Sequence, residues 1–218
     1  FETDFHRWKT WASQMEAKAN GLPIAFMDSY QKAAKYTYYT GKEAVCLTNL
    51  VGRHNQYDLW KSDQKLFGKR VLLVLNWRDA YKDSVVTVNR TWTTLVQDPF
   101  LTYSPIRFIP EKKSYSTKPL DTLNISVLPV LGFDEMPNLS IDSSSLPKIS
   151  VQFFDAKKQI GESVTNVFIN ASFFDGHAKT LNIAIPDLPK GKHQFRISIS
   201  AGWYPAFLNS DRYELIVM

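Results

Sequence analysis

Cysteine is almost absent from this 218-residue chain: Cys46 is the only one, so no disulfide within the chain can staple the fold and no thiolate cluster can hold zinc. A chain of this length buries enough apolar surface to fold without such staples, so an oxidising or a reducing compartment is allowed. Long hydrophobic runs are lacking as well. The richest, VLLVL at 71–75, has the length of a buried strand, and nothing approaches the ~20 apolar residues that cross a bilayer. The nine glycines form no G-x-G-x-x-G fingerprint, no phosphate-cradling loop and no G-x-S-x-G elbow, which argues against dinucleotide, P-loop and α/β-hydrolase chemistry. The four histidines, His6, His54, His177 and His193, are scattered and have no second ligand at metal-binding spacing. No metal or other cofactor is expected.

The composition, 44% hydrophobic and 22% charged, excludes a disordered chain, and there are no tandem repeats. A net charge of +5 attracts anionic surfaces over about a Debye length of ~8–10 Å. With no zinc spacing, no RNA-recognition signature and no basic helix, nucleic acid is not an expected partner. The first residue is Phe1, not Met, and no signal-peptide pattern follows, so a processed product or a piece of a longer protein is expected.

What is present is concentrated in residues 21–60. An apolar run at 22–27 is followed by Asp28 and Gln31 at capping-box spacing, a helix of about three turns, Gly41 at the place of a left-handed terminator, and a second strand at 44–48. Two strands joined by one helix favour a parallel pair. Residues 70–75 read as a third parallel strand and 84–96 as an extended segment. Before them, residues 4–19 read as an amphipathic helix with an aromatic face, stopped by Asn20-Gly21. Beyond the polar stretch 110–119, helix signals vanish. Alternation at 123–127, 149–153, 181–185, 193–199 and 213–217 marks half-buried strands. The expected fold is α/β plus all-β: a small three-layer α/β domain over 1–109, a linker at 110–119, and an antiparallel β-sandwich, immunoglobulin-like or jelly-roll, over 120–218.

The segments SYQKAAKYTYYTG, GRHNQYDLW and VLLVLNW together resemble the soluble C-terminal region of bacterial membrane glycosyltransferases. The family is that of the dolichyl-phosphate-mannose protein mannosyltransferases, glycosyltransferase family 39, with relatives of the aminoarabinose lipid A transferase; the likeness covers roughly residues 5–80. The resemblance implies transmembrane helices that come first, with the catalytic acids in early loops between them, a lipid-linked sugar donor, and a place on the periplasmic face of the bacterial inner membrane. The implied partners are the protein's own transmembrane region, the membrane surface with its lipid-phosphate-linked sugar, and a glycan or protein acceptor. An accessory, non-catalytic role for these 218 residues follows from it.

Polar groups gather where an open α/β sheet collects ligands, at the carboxyl ends of its strands. Arg53, Asn55, Gln56, Tyr57 and Trp60 offer a guanidinium, amides and aromatic faces for phosphate, hydroxyls and sugar, with Tyr30, Gln31 and Tyr38 on the preceding helix. The same residues also suit a loop whose polar groups bond its own backbone. Arg7, Trp8, Lys9 and Trp11 on the first helix suit a membrane interface, or else the tryptophans pack on the sheet. The carboxylate pairs Asp58 with Asp63 and Asp79 with Asp83 have the residue types of a glycosidase site. In AGWYPAF, Trp203, Tyr204 and Phe207 form either a sugar-stacking platform or a plug in the sandwich. A carbohydrate-binding or adhesion module, and a small stand-alone α/β enzyme, are therefore the alternatives.

Overall fold

The computed structural model describes residues 2–27, 29–48, 55–60, 62–75, 83–132, 147–200 and 206–218. The chain forms two compact units, Phe1–Thr102 and Tyr103–Met218.

The first unit is α/β. Helix α1 (Glu2–Ala19) presents Trp11, Ala12, Met15 and Ala19 as one fully buried stripe, and ends where Asn20 and Gly21 take positive φ of 46° and 81°. Strand β1 (Ile24–Met27) leads to helix α2 (Tyr30–Thr40) and strand β2 (Ala44–Leu47). Gly41 adopts the left-handed conformation, and its N–H donates to the Thr37 carbonyl at 2.9 Å, which closes α2 as the sequence indicated. At the other end the expectation fails. Ser29 is the N-cap and makes no side-chain cap bond, while Asp28 lies outside the described residues.

A short helix α3 (Gln56–Trp60) and a 3₁₀ turn (Ser62–Leu66) precede β3 (Val71–Leu75), which pairs parallel with β1 on the side opposite β2. Strands β4 (Asp83–Val86) and β5 (Thr91–Gln97) form an antiparallel hairpin added through β5, so the sheet order is β2-β1-β3-β5-β4. The register aligns Ile24 and Phe26 with Ala44 and Cys46 and with Leu72 and Val74. That face carries α1 and α2, whose Trp11, Met15, Ala33 and Tyr36 join one core with Trp92 of β5. The alternate residues Ala25, Met27, Val45, Leu47 and Leu73 are buried too, as a parallel sheet covered on both faces requires. Burial of each large side chain contributes about 1.5–3 kcal/mol against chain entropy.

The second unit is a β-sandwich with sheets β11-β8-β6 and β10-β9-β12-β13-β7, where β6 is Arg107–Pro110, β7 Ser114–Thr117, β8 Thr122–Val130, β9 Lys148–Asp155, β10 Lys158–Phe168, β11 Lys179–Ala184, β12 Gly191–Ser200 and β13 Tyr213–Val217. All pairs are antiparallel except β7 with β13. With β6 and β7 counted as one first strand shared between the sheets, the second strand pairs with the fifth, the third with the sixth and the sixth with the last. This is the immunoglobulin-like order, not the jelly-roll one. Asn209, fully buried, ties the start of the unit to β12: it accepts from the Ile199 N–H at 2.8 Å and donates to the Tyr103 and Ile106 carbonyls at 2.7 and 2.9 Å.

The expected linker at 110–119 is therefore corrected. Its middle, residues 114–117, is strand β7, paired with the C-terminal strand, and the units divide at 102–103, before β6. An edge strand with one neighbour needs only its inward side chains apolar or small. Here those are Tyr115 and Thr117, which are buried between exposed serines.

Candidate functional site

The loop residues expected to bind a ligand are arranged to hold one another. Asn55 is the N-cap of α3: its Oδ1 accepts from the Tyr57 N–H at 2.8 Å, and the Asp58 carboxylate accepts from the Asn55 N–H at 2.6 Å. This is a reciprocal capping arrangement of the kind expected at Asp28 and Gln31, placed instead one helix later. The remaining valences face inward. Asn55 Nδ2 donates to Thr48 Oγ1 at 2.8 Å and approaches Cys46 Sγ at 3.7 Å, and Thr48 Oγ1 donates to Asp58 at 3.2 Å. Cys46 is thus a buried small side chain under the loop. Tyr57 is half-buried and packs on the core, with burial first, and Cys46 and Glu43 after it, pushing its phenol upward. Gln56 is exposed, as is Trp60 at 63%, which meets Tyr57 edge-on with ring centres 5.5 Å apart. Arg53 and His54 lie outside the described residues.

On α2, Tyr30 and Gln31 are exposed, and Tyr38 is 72% exposed with Tyr39 packed edge-on at 5.0 Å. The structure does not record a contact of these three with the Asn55–Asp58 group. The carboxylate pairs are engaged elsewhere: Asp58 caps α3, buried Asp63 accepts from Thr102 Oγ1, and Asp83 pairs with Lys18, which holds its carboxyl below the usual range. Asp79 is outside the described residues. Among the described residues no three His, Cys, Asp or Glu groups converge as metal ligands, and His193 Nε2 bonds the Pro189 carbonyl at 2.7 Å. In the second unit, Phe207 is buried edge-on to Tyr103 at 6.1 Å and so is a plug residue, not a stacking platform; Trp203 and Tyr204 lie outside the described residues. A polar cleft of about 440 Å³, lined by Ser114, Ser116, Asn124, Ser126, Glu111 and Lys112, opens beside β7. It brings hydroxyls and one carboxylate together, without the second carboxylate that acid–base cleavage of a sugar requires.

The membrane-interface residues divide. Trp11 is completely buried, with Phe26 at 5.7 Å and Trp92 at 6.2 Å between ring centres, so it belongs to the core and not to an interface. Trp8 is half-buried, and Arg7 and Lys9 beside it are exposed. Around these rings lies a cluster of cations that the sequence reading passed over. Lys32 Nζ stands 3.8 Å from the centre of Trp8, 5.6 Å from Trp92 and 5.8 Å from Trp11. Lys35 Nζ is 3.5 Å from Trp8, and the Arg90 guanidinium lies 3.8 Å over Trp92. Neither lysine has a carboxylate within ion-pair distance among the described residues. Burial first, then Lys35 and Arg90, pull Lys32 from the ordinary lysine value down to about 8. The ring faces favour the charged form and act in the opposite sense.

One signal for this cluster was legible. Helix α2, YQKAAKYTYYT, places two lysines one turn apart and contains no Asp or Glu to answer them. Comparison with the models of known protein families and with curated proteins finds no match for the chain.

Proposed function

We propose that these residues are the soluble, periplasmic C-terminal region of a polytopic membrane glycosyltransferase that uses a lipid-linked sugar, and that their role is to hold an anionic headgroup or acceptor while the chemistry takes place elsewhere. The observation that carries the reading is the pair of carboxylate-free lysines on the tryptophan face of the first unit. They lie within SYQKAAKYTYYTG, one of the segments on which the family resemblance rests. The engagement of Asp58, Asp63 and Asp83 in caps and pairs supports an accessory rather than a catalytic part. Among the described residues no helix is long and apolar enough to cross a membrane.

The test compares two preparations given a polyprenyl-phosphate-linked sugar and membrane acceptors. Membranes containing the full-length gene product are expected to transfer the sugar, and the purified 218-residue chain is expected not to. Turnover by the purified chain alone contradicts the proposal, as does a full-length product with no hydrophobic spans.

A further inference from the structure

We propose that the face built from Trp8, Lys32, Lys35 and Arg90 is a binding site for a phosphate group, carried by a phosphomonoester or a pyrophosphate. For its ligand class this deepens the headgroup-binding reading; its test does not depend on it.

The argument is a mismatch between donors and acceptors. Two ammoniums lie against one indole, and a guanidinium lies over a second indole that is itself within 6.2 Å of Trp11. Beneath the face the Trp11 indole N–H is buried without an acceptor, closed to a ligand, so the accessible donors are the lysine ammoniums. The face thus presents the Lys32 and Lys35 ammoniums with no carboxylate contact in return among the described residues. Like charges one helical turn apart disfavour the helix, and a half-buried ammonium has lost part of its hydration. The ring faces compensate in part. A carboxylate ligand would neutralise only one of the two lysines. A phosphate dianion neutralises both and brings three or more acceptor oxygens, against the three N–H donors that each ammonium carries. The exposed Arg7 and Lys9 beside Trp8 extend the same positive field outward, which raises the rate of encounter with anions.

The experiment titrates the purified 218-residue chain by calorimetry with inorganic phosphate and pyrophosphate, and by flotation with phosphatidylcholine vesicles containing or lacking phosphatidic acid. Lys32→Gln/Lys35→Gln is compared with Lys157→Gln/Lys158→Gln, exposed lysines at the start of β10 that give the same change in net charge. Saturable binding that weakens about tenfold or more in the first double variant, and changes less than about twofold in the second, is the expected result. Binding to the soluble anions identifies a soluble phosphoester as the source, and binding only to phosphatidic acid vesicles identifies a lipid phosphate. Should the double variant not fold, single Lys35→Gln is expected to weaken binding in the same direction. Absence of saturable binding in both arms, or equal losses in the two double variants, overturns the site. Phosphate binding here without sugar transfer by the full-length product would keep the site and remove the glycosyltransferase reading; the reverse outcome would do the opposite.

Discussion

Two regions of the first unit draw on the same residue types, aromatics with amides and charged groups, and use them in opposite ways. In the loop leading into α3, Asn55 and Asp58 satisfy each other, the helix end and Thr48. On the face of α1 and α2, Lys32 and Lys35 lie against tryptophan without a carboxylate partner among the described residues. Polar density alone therefore does not mark a binding surface. What distinguishes one is the remainder after each donor has been matched to an acceptor. The loop leaves almost none among its described side chains, and the tryptophan face leaves several.

The strongest perturbation of this comparison removes the support under the cationic face. Trp11→Ala empties a fully buried indole volume and is expected to destabilise the first unit by about 3–5 kcal/mol in urea unfolding. A loss below about 1 kcal/mol would mean that Trp11 is not a core residue and would reopen its interfacial role. An intermediate effect is expected in the loop. Asn55→Ala should cost about 1–2 kcal/mol, because the α3 cap and the bonds to Thr48 go together, whereas Trp60→Ala should stay within about 0.5 kcal/mol. Equal effects from the two substitutions would break the distinction between scaffold and surface within the loop.

The smallest expected effect is a pH dependence. Because Lys32 titrates lower in the folded chain, near 8, than in the unfolded chain, the unfolded state binds more protons between about pH 8 and the ordinary lysine range. Its charged form thus opposes folding below pH 8, and that opposition fades as pH rises. Lys35 and Arg90 are the charged groups that reinforce the shift. The thermal midpoint of the wild type relative to Lys32→Gln should rise between pH 7 and 9.5, a window chosen below the tyrosines whose phenols burial pushes up, Tyr36, Tyr57 and Tyr103. A difference that is flat across this window would mean that the ring faces fully offset the burial of the ammonium.

Much of the architecture was legible from periodicity. The β1-α2-β2 unit with its Gly41 terminator, β3, and strands β8, β9, β11, β12 and β13 follow from alternation or from apolar runs bounded by turns. Strands β7 and β10 were not legible. Each is a sheet edge with a single neighbour, and β10, KQIGESVTNVF, is interrupted by register shifts around Gly161 and beyond Val164. The α3 cap was missed because Asn55 and Asp58 read equally well as ligand-binding groups, and only their bonds to Thr48 and to the backbone decide the matter. The cationic face was half legible. Two lysines without an acid on α2 stand in the sequence, but Arg90 and Trp92 reach them through sheet pairing of β5 with β3 and β4, which no local spacing encodes.

The most direct measurement is a map of amide and indole NMR shifts in the 218-residue chain as inorganic phosphate is added. The account predicts that the Trp8 and Trp92 indole signals and the backbone amides of Lys32 and Lys35 move together along one saturation curve, while the amides of residues 55–60 stay still. Saturating shifts at residues 55–60 with a quiet tryptophan face would contradict it.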